Sequence, residues 1–288
     1  MPPLSAHRVG SVAEALRHAV DRLRAVGIDT AEADARLLAA HLLDTTPDRL
    51  SEYADAEVPA GFAELVARRA ERCPAERLTG WAWFRGRRYA LTEAVFVPKP
   101  ETSDVVGRAL AALRAQGTEQ PVVVDLCTGS GVLAVSIAAE YPGARVHAVD
   151  LSPEAVAVAR ANAAGLPVQV LVGDASTALP ELDGTVDLLV ANPPYTPVGH
   201  TVHAPEVADF DPPLAVWAGQ EGLDVIRAVE SRARGLLRPG GALLLEHGSH
   251  QTRSVPALFD SAHWFEVREH ATVNDGCLSA FRRPTTER

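Results

Sequence analysis

The chain carries a single lysine, Lys99, in 288 residues. Arginine supplies the remaining fixed positive charge, a preference that reads as a coding bias. Even so, positive charge is in deficit, and the formal net charge is −10. Residues 1–90 hold 13 basic and 13 acidic side chains, whereas residues 91–288 hold 14 and 24. A protein that grips a nucleic-acid backbone needs the opposite balance, because phosphate contacts require Lys and Arg. Direct nucleic-acid binding is therefore not expected.

Cysteine is also scarce. Cys73, Cys127 and Cys277 are odd in number and far apart, with no C-x-x-C pair. That excludes a disulfide framework and a thiolate metal site, and predicts free thiols in a reducing, cytoplasmic setting with no metal. Cys73 and Cys277 read as small buried hydrophobes. Long apolar runs are missing too. Stretches such as Val122–Val124 and Ala242–Leu245 are strand-sized, far below the roughly 18 residues that span a bilayer. The opening MPPLSAHRVG has no basic start followed by an apolar segment, so no secretory signal is expected. What remains is ordinary: 47% hydrophobic and 22% charged residues, enough for roughly two domains of about 100–200 residues each.

The first 80 residues read as a helical domain. Ser11-Val12-Ala13-Glu14 fits a capping box, followed by apolar positions at helical spacing through Val26 and a stop at Gly27. Further helices are predicted over 30–43 and 59–73, the last with Pro59 in its first turn. Residues 81–120 read as a hairpin and linker: a β-hairpin around Gly86, a proline-pinned segment from Phe96 to Thr102, and a helix over 101–116. Trp81 and Trp83, two apart in a strand, are expected to share a packed face. From Pro121 to the C-terminus, strands alternate with helices. Strands are expected at 122–126, 145–149, 168–172, 186–191, 242–246 and 264–268. Helices are expected at 132–140, 153–163, 222–237 and 250–259, and the tail from Arg282 is expected to fray. The fold class is α/β, a doubly wound Rossmann-like sheet with a small N-terminal helical bundle.

Three strand ends carry chemistry. Asp125-Leu126-Cys127-Thr128-Gly129-Ser130-Gly131 follows an apolar strand and opens a helix, and its glycines let a ligand approach the backbone. It is not G-x-G-x-x-G. Asp150 lies nineteen residues past Gly131, at the end of the next strand, where a carboxylate accepts from both hydroxyls of a ribose. Asp174 ends the third strand and is placed to accept from an adenine amine. NAD and S-adenosylmethionine both satisfy these features. Asn192-Pro193-Pro194-Tyr195 discriminates. Its prolines stiffen the turn, so that the Asn192 side chain and the Pro193 carbonyl form a fixed pair of acceptors for the N–H groups of a planar amine or amide. Tyr195 offers an aromatic wall to a sulfonium. His247 and His250, without a third ligand, read as structural.

Together with Pro98-Lys99-Pro100-Glu101-Thr102 and Leu245-Glu246-His247-Gly248, these motifs resemble the HemK/PrmC family, the S-adenosylmethionine-dependent methyltransferases of the release-factor glutamine. The resemblance spans nearly the whole chain, including Arg77-Leu78-Thr79-Gly80 and Gly222-Leu223-Asp224. It implies a class I methyltransferase sheet, S-adenosylmethionine as cofactor, and the Gly-Gly-Gln glutamine of a peptide chain release factor as acceptor. By matching position, Thr128, Gly129, Ser130 and Gly131 would lie against the cofactor, Asp150 on its ribose, and Asp174 with Ala175 beside its adenine. Asn192, Pro193, Pro194 and Tyr195 would hold the glutamine amide, and Pro98 and Glu101 would lie near the methionine end. The family usually carries Arg where Lys99 stands, Glu at Ser103 and Gly at Cys127, and its arginine-rich ending is here Val273-Asn274-Asp275-Gly276-Cys277. The Ser103 change is expected to remove a carboxylate from the site. These departures bear on the acceptor and point to a paralogue acting on another protein, peptide or small amide or amine. The Asn192-Pro193-Pro194-Tyr195 motif alone is shared with adenine-amino methyltransferases, which gives an adenine amine as a further alternative.

Overall fold

A computed structural model describes residues 10–200, 205–272 and 275–284. The proposed leader-free start, Val273 and Asn274 of the C-terminal motif, and the end of the tail lie outside them. Contacts divide the chain into two compact units, Met1–Trp81 and Ala82–Arg288.

The first unit is helical: α1 (Val12–Ala25), α2 (Ala31–Leu42), α3 (Phe62–Ala70) and α4 (Ala75–Thr79), with a 3-10 turn over Pro47–Tyr53. The capping box forms as its residues dictate, with Ser11 and Glu14 exchanging bonds of 3.3 Å. α3 begins later than Pro59 suggests, because Gly61 takes the left-handed conformation at φ 88° and the helix starts after it. Leu23, Leu38, Leu50, Phe62 and Trp81 fill the core, and the Trp81 indole donates to His41 Nδ1 at 3.1 Å. Trp83 does not share the burial of Trp81: it is 40% exposed against 3%.

β1 (Trp81–Phe84), whose first residue ends the first unit, and β2 (Arg87–Ala90) of the second unit form the hairpin. Arg85 and Gly86 both have positive φ, as a tight two-residue turn between twisted strands requires. After α5 (Thr102–Gln116) the chain alternates: β3 (Val122–Leu126), α6 (Val132–Glu140), β4 (Arg145–Asp150), α7 (Pro153–Asn162), β5 (Val168–Val172) and β6 (Val186–Ala191). The short helices α8 (Pro205–Phe210) and α9 (Pro213–Val216) precede α10 (Asp224–Leu236). Then come β7 (Leu237–Gly248), β8 (Trp264–Ala271) and β9 (Asp275–Arg282). The seven-stranded sheet runs β5-β4-β3-β6-β7-β9-β8. Five neighbouring strands are parallel, and β9 is antiparallel to both β7 and β8. Every residue of β3 and β6 is buried, as strands covered on both faces must be. One face packs Leu110, Leu113, Ile137 and Val156 against Val123 and Leu188. The other packs Ile226, Val229 and Leu236 against Leu189 and Leu243. Strand order reverses between β3 and β6, which opens a crevice at their carboxyl ends.

Two expectations are corrected. Residues 250–259 are not a helix but hold 3-10 turns at Ser249–Gln251 and Pro256–Leu258. Pro256 has no N–H for a helical ladder, and the Gln251 side chain is spent on the neighbouring backbone. Strand β9 was not anticipated from the sequence, since Gly276 and Ser279 interrupt its apolar pattern. Among the described residues, no helix is long and apolar enough to cross a membrane.

Candidate active site

The register puts the candidate residues side by side. Leu126 pairs with Val149 on one side and Ala191 on the other, Asp150 pairs with Val172, and Ala191 pairs with Leu245. The loop after β3, Asp150, the segment after β5, Asn192 and Glu246 therefore all emerge along one edge of the sheet.

The loop after β3 is built around Asp125. This fully buried carboxyl accepts from the Thr128 hydroxyl at 2.5 Å and from the Ala134 N–H at 3.1 Å, tying the loop to the start of α6. Its second oxygen has no hydrogen-bond partner, and burial pushes its pKa up to about 7. Cys127, where the family usually has glycine, holds φ 62°. Its thiol is pushed far up by burial and by the neighbouring Asp150, Asp125 and Asp174, so it stays uncharged. Gly131 is where glycine is needed for packing: a methyl there would meet Ala159 Cβ at 3.3 Å. A methyl at Gly129 would meet nothing within 4 Å, so this part of the backbone is open to a ligand. Thr128 and Ser130 are buried, and the Ser130 carbonyl accepts from Asn162 at 2.8 Å.

Asp150 is held by the backbone. Oδ2 accepts from the Gly129 N–H at 2.8 Å and Oδ1 from the Ser152 N–H at 3.0 Å. Each carboxylate oxygen retains capacity for a second donor, which a ribose diol can supply. Asp174 is exposed. Its Oδ1 accepts from the Ser176 N–H and hydroxyl at 2.7 and 2.6 Å, which lowers its pKa. Ala175 is half-buried against the core. Leu151 and Val172, 53% and 51% exposed at the ends of β4 and β5, were not singled out from the sequence. Apolar residues left bare beside two carboxylates suit the faces of a purine.

The Asn192–Tyr195 turn is anchored at both ends. Asn192 Nδ2 donates to Glu246 Oε1 at 2.8 Å, which leaves the amide oxygen for another partner. Pro193 and Pro194 are buried, and among the described residues nothing donates to the Pro193 carbonyl. The Tyr195 carbonyl accepts from Gln251 Nε2 at 3.1 Å, and the same nitrogen donates to Gly222 O at 3.0 Å. Gln251 Oε1 accepts from the Gly248 N–H at 3.1 Å, so one buried amide clamps the turn to the end of β7. The half-buried Tyr195 phenol is kept protonated by burial, with Glu246, Asp275 and Glu101 adding to the shift. Thr196 continues as a strand-like bridge to Trp217.

Sequence reasoning missed Gln251 altogether and named Glu246 only as part of a motif. A lone carboxyl ending the apolar run Leu243-Leu244-Leu245 was the available signal for Glu246. Ser103 does not face this cluster in the way expected: its hydroxyl and carbonyl take Arg85, which also pairs with Glu140 at 2.6 Å. Lys99 lies over the Phe96 ring at 5.4 Å. His247 is fully buried between Gly248 O at 3.0 Å and Glu269 at 3.1 Å.

Residues 123–208 match the family model of a methyltransferase domain, and residues 14–80 that of the PrmC N-terminal domain. The sheet unit is a Rossmann-like class I methyltransferase. Over 281 residues the chain is 50% identical to a 4-amino-L-phenylalanine/4-methylamino-L-phenylalanine methyltransferase of Streptomyces pristinaespiralis, covering 96% of each chain. It is 44% identical over 259 residues to the release factor glutamine methyltransferase of Streptomyces coelicolor, covering 89% of this chain and 92% of the relative. The corresponding Mycolicibacterium smegmatis enzyme is 43% identical over 258 residues, with 88% and 90% covered. The chain belongs to the HemK/PrmC family, and it is an S-adenosylmethionine-dependent N-methyltransferase. The open Gly129 backbone and the backbone-held carboxylate of Asp150 fit that cofactor, which supplies an electrophilic methyl on sulfonium.

Proposed function

We propose that the acceptor is the aromatic amine of a small free amino acid of the 4-aminophenylalanine kind, methylated at nitrogen. The observation that carries this reading is the 50% identity to an aminophenylalanine methyltransferase over 96% of both chains, against 44% and 43% to the release-factor enzymes over less of theirs. The departures at Lys99 and Cys127 from the usual family pattern point the same way.

The site chemistry supports it. An arylamine is neutral at physiological pH, and its nitrogen lone pair is partly shared with the ring. It presents two N–H groups in a nearly planar arrangement, as a carboxamide does. Asn192 Oδ1 and the Pro193 carbonyl would take those two hydrogens and aim the lone pair, so that catalysis is mainly positioning. After one transfer a single N–H remains, and one acceptor suffices to orient a second. Tyr195 would wall the sulfonium side, and Asp150 would hold the ribose, with Thr128–Gly131, Asp174 and Ala175 bordering the rest of the cofactor. No general base is required, since the methylated nitrogen sheds its proton to water.

The second reading, the Gly-Gly-Gln glutamine of a release factor, is favoured by the match of residues 14–80 to the PrmC N-terminal domain. The test is a competition. The purified chain is given labelled S-adenosylmethionine with 4-amino-L-phenylalanine and, separately, with a release factor. Mono- and dimethylated amino acid is expected, with kcat/KM at least 100-fold above that for the release factor. The reverse preference selects the glutamine reading, and methyl transfer to neither overturns both.

A further inference from the structure

Glu246 is a carboxyl buried in the fold. It is 1% exposed at the end of β7, and its Oε1 accepts the Asn192 amide at 2.8 Å. Its Oε2 has no hydrogen-bond partner, and neither has the buried Thr102 hydroxyl that approaches it from the first turn of α5. Buried polar atoms are almost always paired, so an orphaned carboxyl oxygen beside a functional turn calls for an account. A structural role alone would be filled as well by glutamine, which offers Asn192 the same acceptor and Thr102 an amide.

We infer that Glu246 is a positioning residue acting through Asn192: it locks the amide with Oδ1 toward the acceptor nitrogen, and its negative charge offsets the positive charge that arrives there during transfer. The inference rests on the reading that Asn192 orients the acceptor. In the transfer, the nitrogen lone pair forms the bond to the methyl carbon while the carbon–sulfur pair returns to sulfur. Positive charge thus passes from sulfur to nitrogen, and the nitrogen then loses a proton to water. A fixed anion on the nitrogen side, out of water, favours that shift.

The groups facing Glu246 are Glu101 from the turn ahead of α5, Tyr195 after β6, and Asp275 and Cys277 from β9. Tyr195 and Cys277 are neutral, the thiol being pushed up to about 12 by burial. Burial, then Asp275 and Glu101, raise the Glu246 carboxyl to about 8, against the pull of the nearby Thr102 hydroxyl and of the Asn192 bond. A cation bound nearby lowers such a value. Binding of the sulfonium should therefore drive a proton off Glu246, whereas the uncharged thioether product should not.

The test is calorimetric binding at pH 7.5 in two buffers of different ionisation enthalpy. S-adenosylmethionine is compared with S-adenosylhomocysteine, on the parent chain and on Glu246→Gln. Proton release is expected with the sulfonium only, and it should vanish in the variant. Turnover of 4-amino-L-phenylalanine, or of release factor if that is the acceptor, is then followed from pH 6 to 9.5. The parent kcat should rise with pH. Glu246→Gln should lose ten- to a hundredfold at the plateau and become flat with pH, with KM little changed. Asp275→Asn should move the parent inflection to lower pH, and it serves if Glu246→Gln does not fold. Equal proton release with both ligands, a parental pH profile in Glu246→Gln, or an unmoved inflection in Asp275→Asn overturns the inference. Asn192→Ala separates the two levels. If it retains turnover, the acceptor reading itself fails. If it abolishes turnover while Glu246→Gln behaves as the parent, only the role of Glu246 fails.

Discussion

Replacing Gly222 with alanine should damage turnover out of proportion to stability. Gly222 precedes α10 at φ 70°, a conformation that costs an L-residue about 1–2 kcal/mol. A methyl there would stand 2.2 Å from the Tyr195 carbonyl oxygen and 3.0 Å from both Gln251 Nε2 and Pro197 Cδ. Ordinary contact begins near 3.4 Å, so the carbonyl must retreat by about 1 Å. The turn has little freedom to absorb that, because Pro193, Pro194 and Pro197 fix its backbone. Overpacking of this kind adds about 1–3 kcal/mol. The sum, about 2–5 kcal/mol, corresponds to a fall in Tm of roughly 5–15 °C for a unit of this size. A displacement of about 1 Å beside the acceptor should cost on the order of 10²-fold in kcat. Gly165→Ala is the control: it has the same left-handed backbone, φ 80°, but a methyl there meets nothing within 4 Å. It should lose only about 1–2 kcal/mol and keep parental turnover. Steady-state methyl transfer and thermal melts on both variants decide the matter. If Gly222→Ala turns over no worse than Gly165→Ala, the claim that this glycine supports the geometry of the turn is refuted.

Two further outcomes follow from the carboxylates. Asp150→Ala should weaken S-adenosylmethionine binding about tenfold or more by calorimetry, because it removes a charged acceptor and the anchor of the Gly129 N–H; unchanged affinity would count against the ribose assignment. Asp125 has a folded pKa of about 7, above its unfolded value, so the folded state keeps a proton that the unfolded state has released. Its contribution to stability is greatest at acid pH and is lost as pH rises toward 7, roughly 3 kcal/mol between pH 5 and 8. Asp125→Asn should flatten that part of the stability–pH curve in urea titrations, and an unaltered slope would show that Asp125 is ionised throughout.

The legible part of the fold was local. Capping residues, glycine stops and the change from helical to strand spacing located most elements, and they failed where local cues ran out. Pro256 and the spent Gln251 side chain turned an expected helix into two short turns. The strand Asp275–Arg282 carries no strong apolar alternation, because it is placed by ladders on both sides rather than by its own pattern. Trp83 shows the same limit: alternation says which side chains share a face, not whether another element covers that face.

By itself the sequence determined the glycine loop after β3, the carboxylates at the end of β4 and just past β5, and the stiff Asn192–Tyr195 turn, because φ restrictions and spacing act between neighbours. Only the tertiary structure decided that Glu246, 54 residues on, stands behind Asn192, and that Gln251 ties Tyr195 to Gly222 and Gly248. Those pairings depend on β6 lying beside β7, and the order of strands in a sheet is settled by packing across the whole core, which leaves no mark on any short stretch of chain.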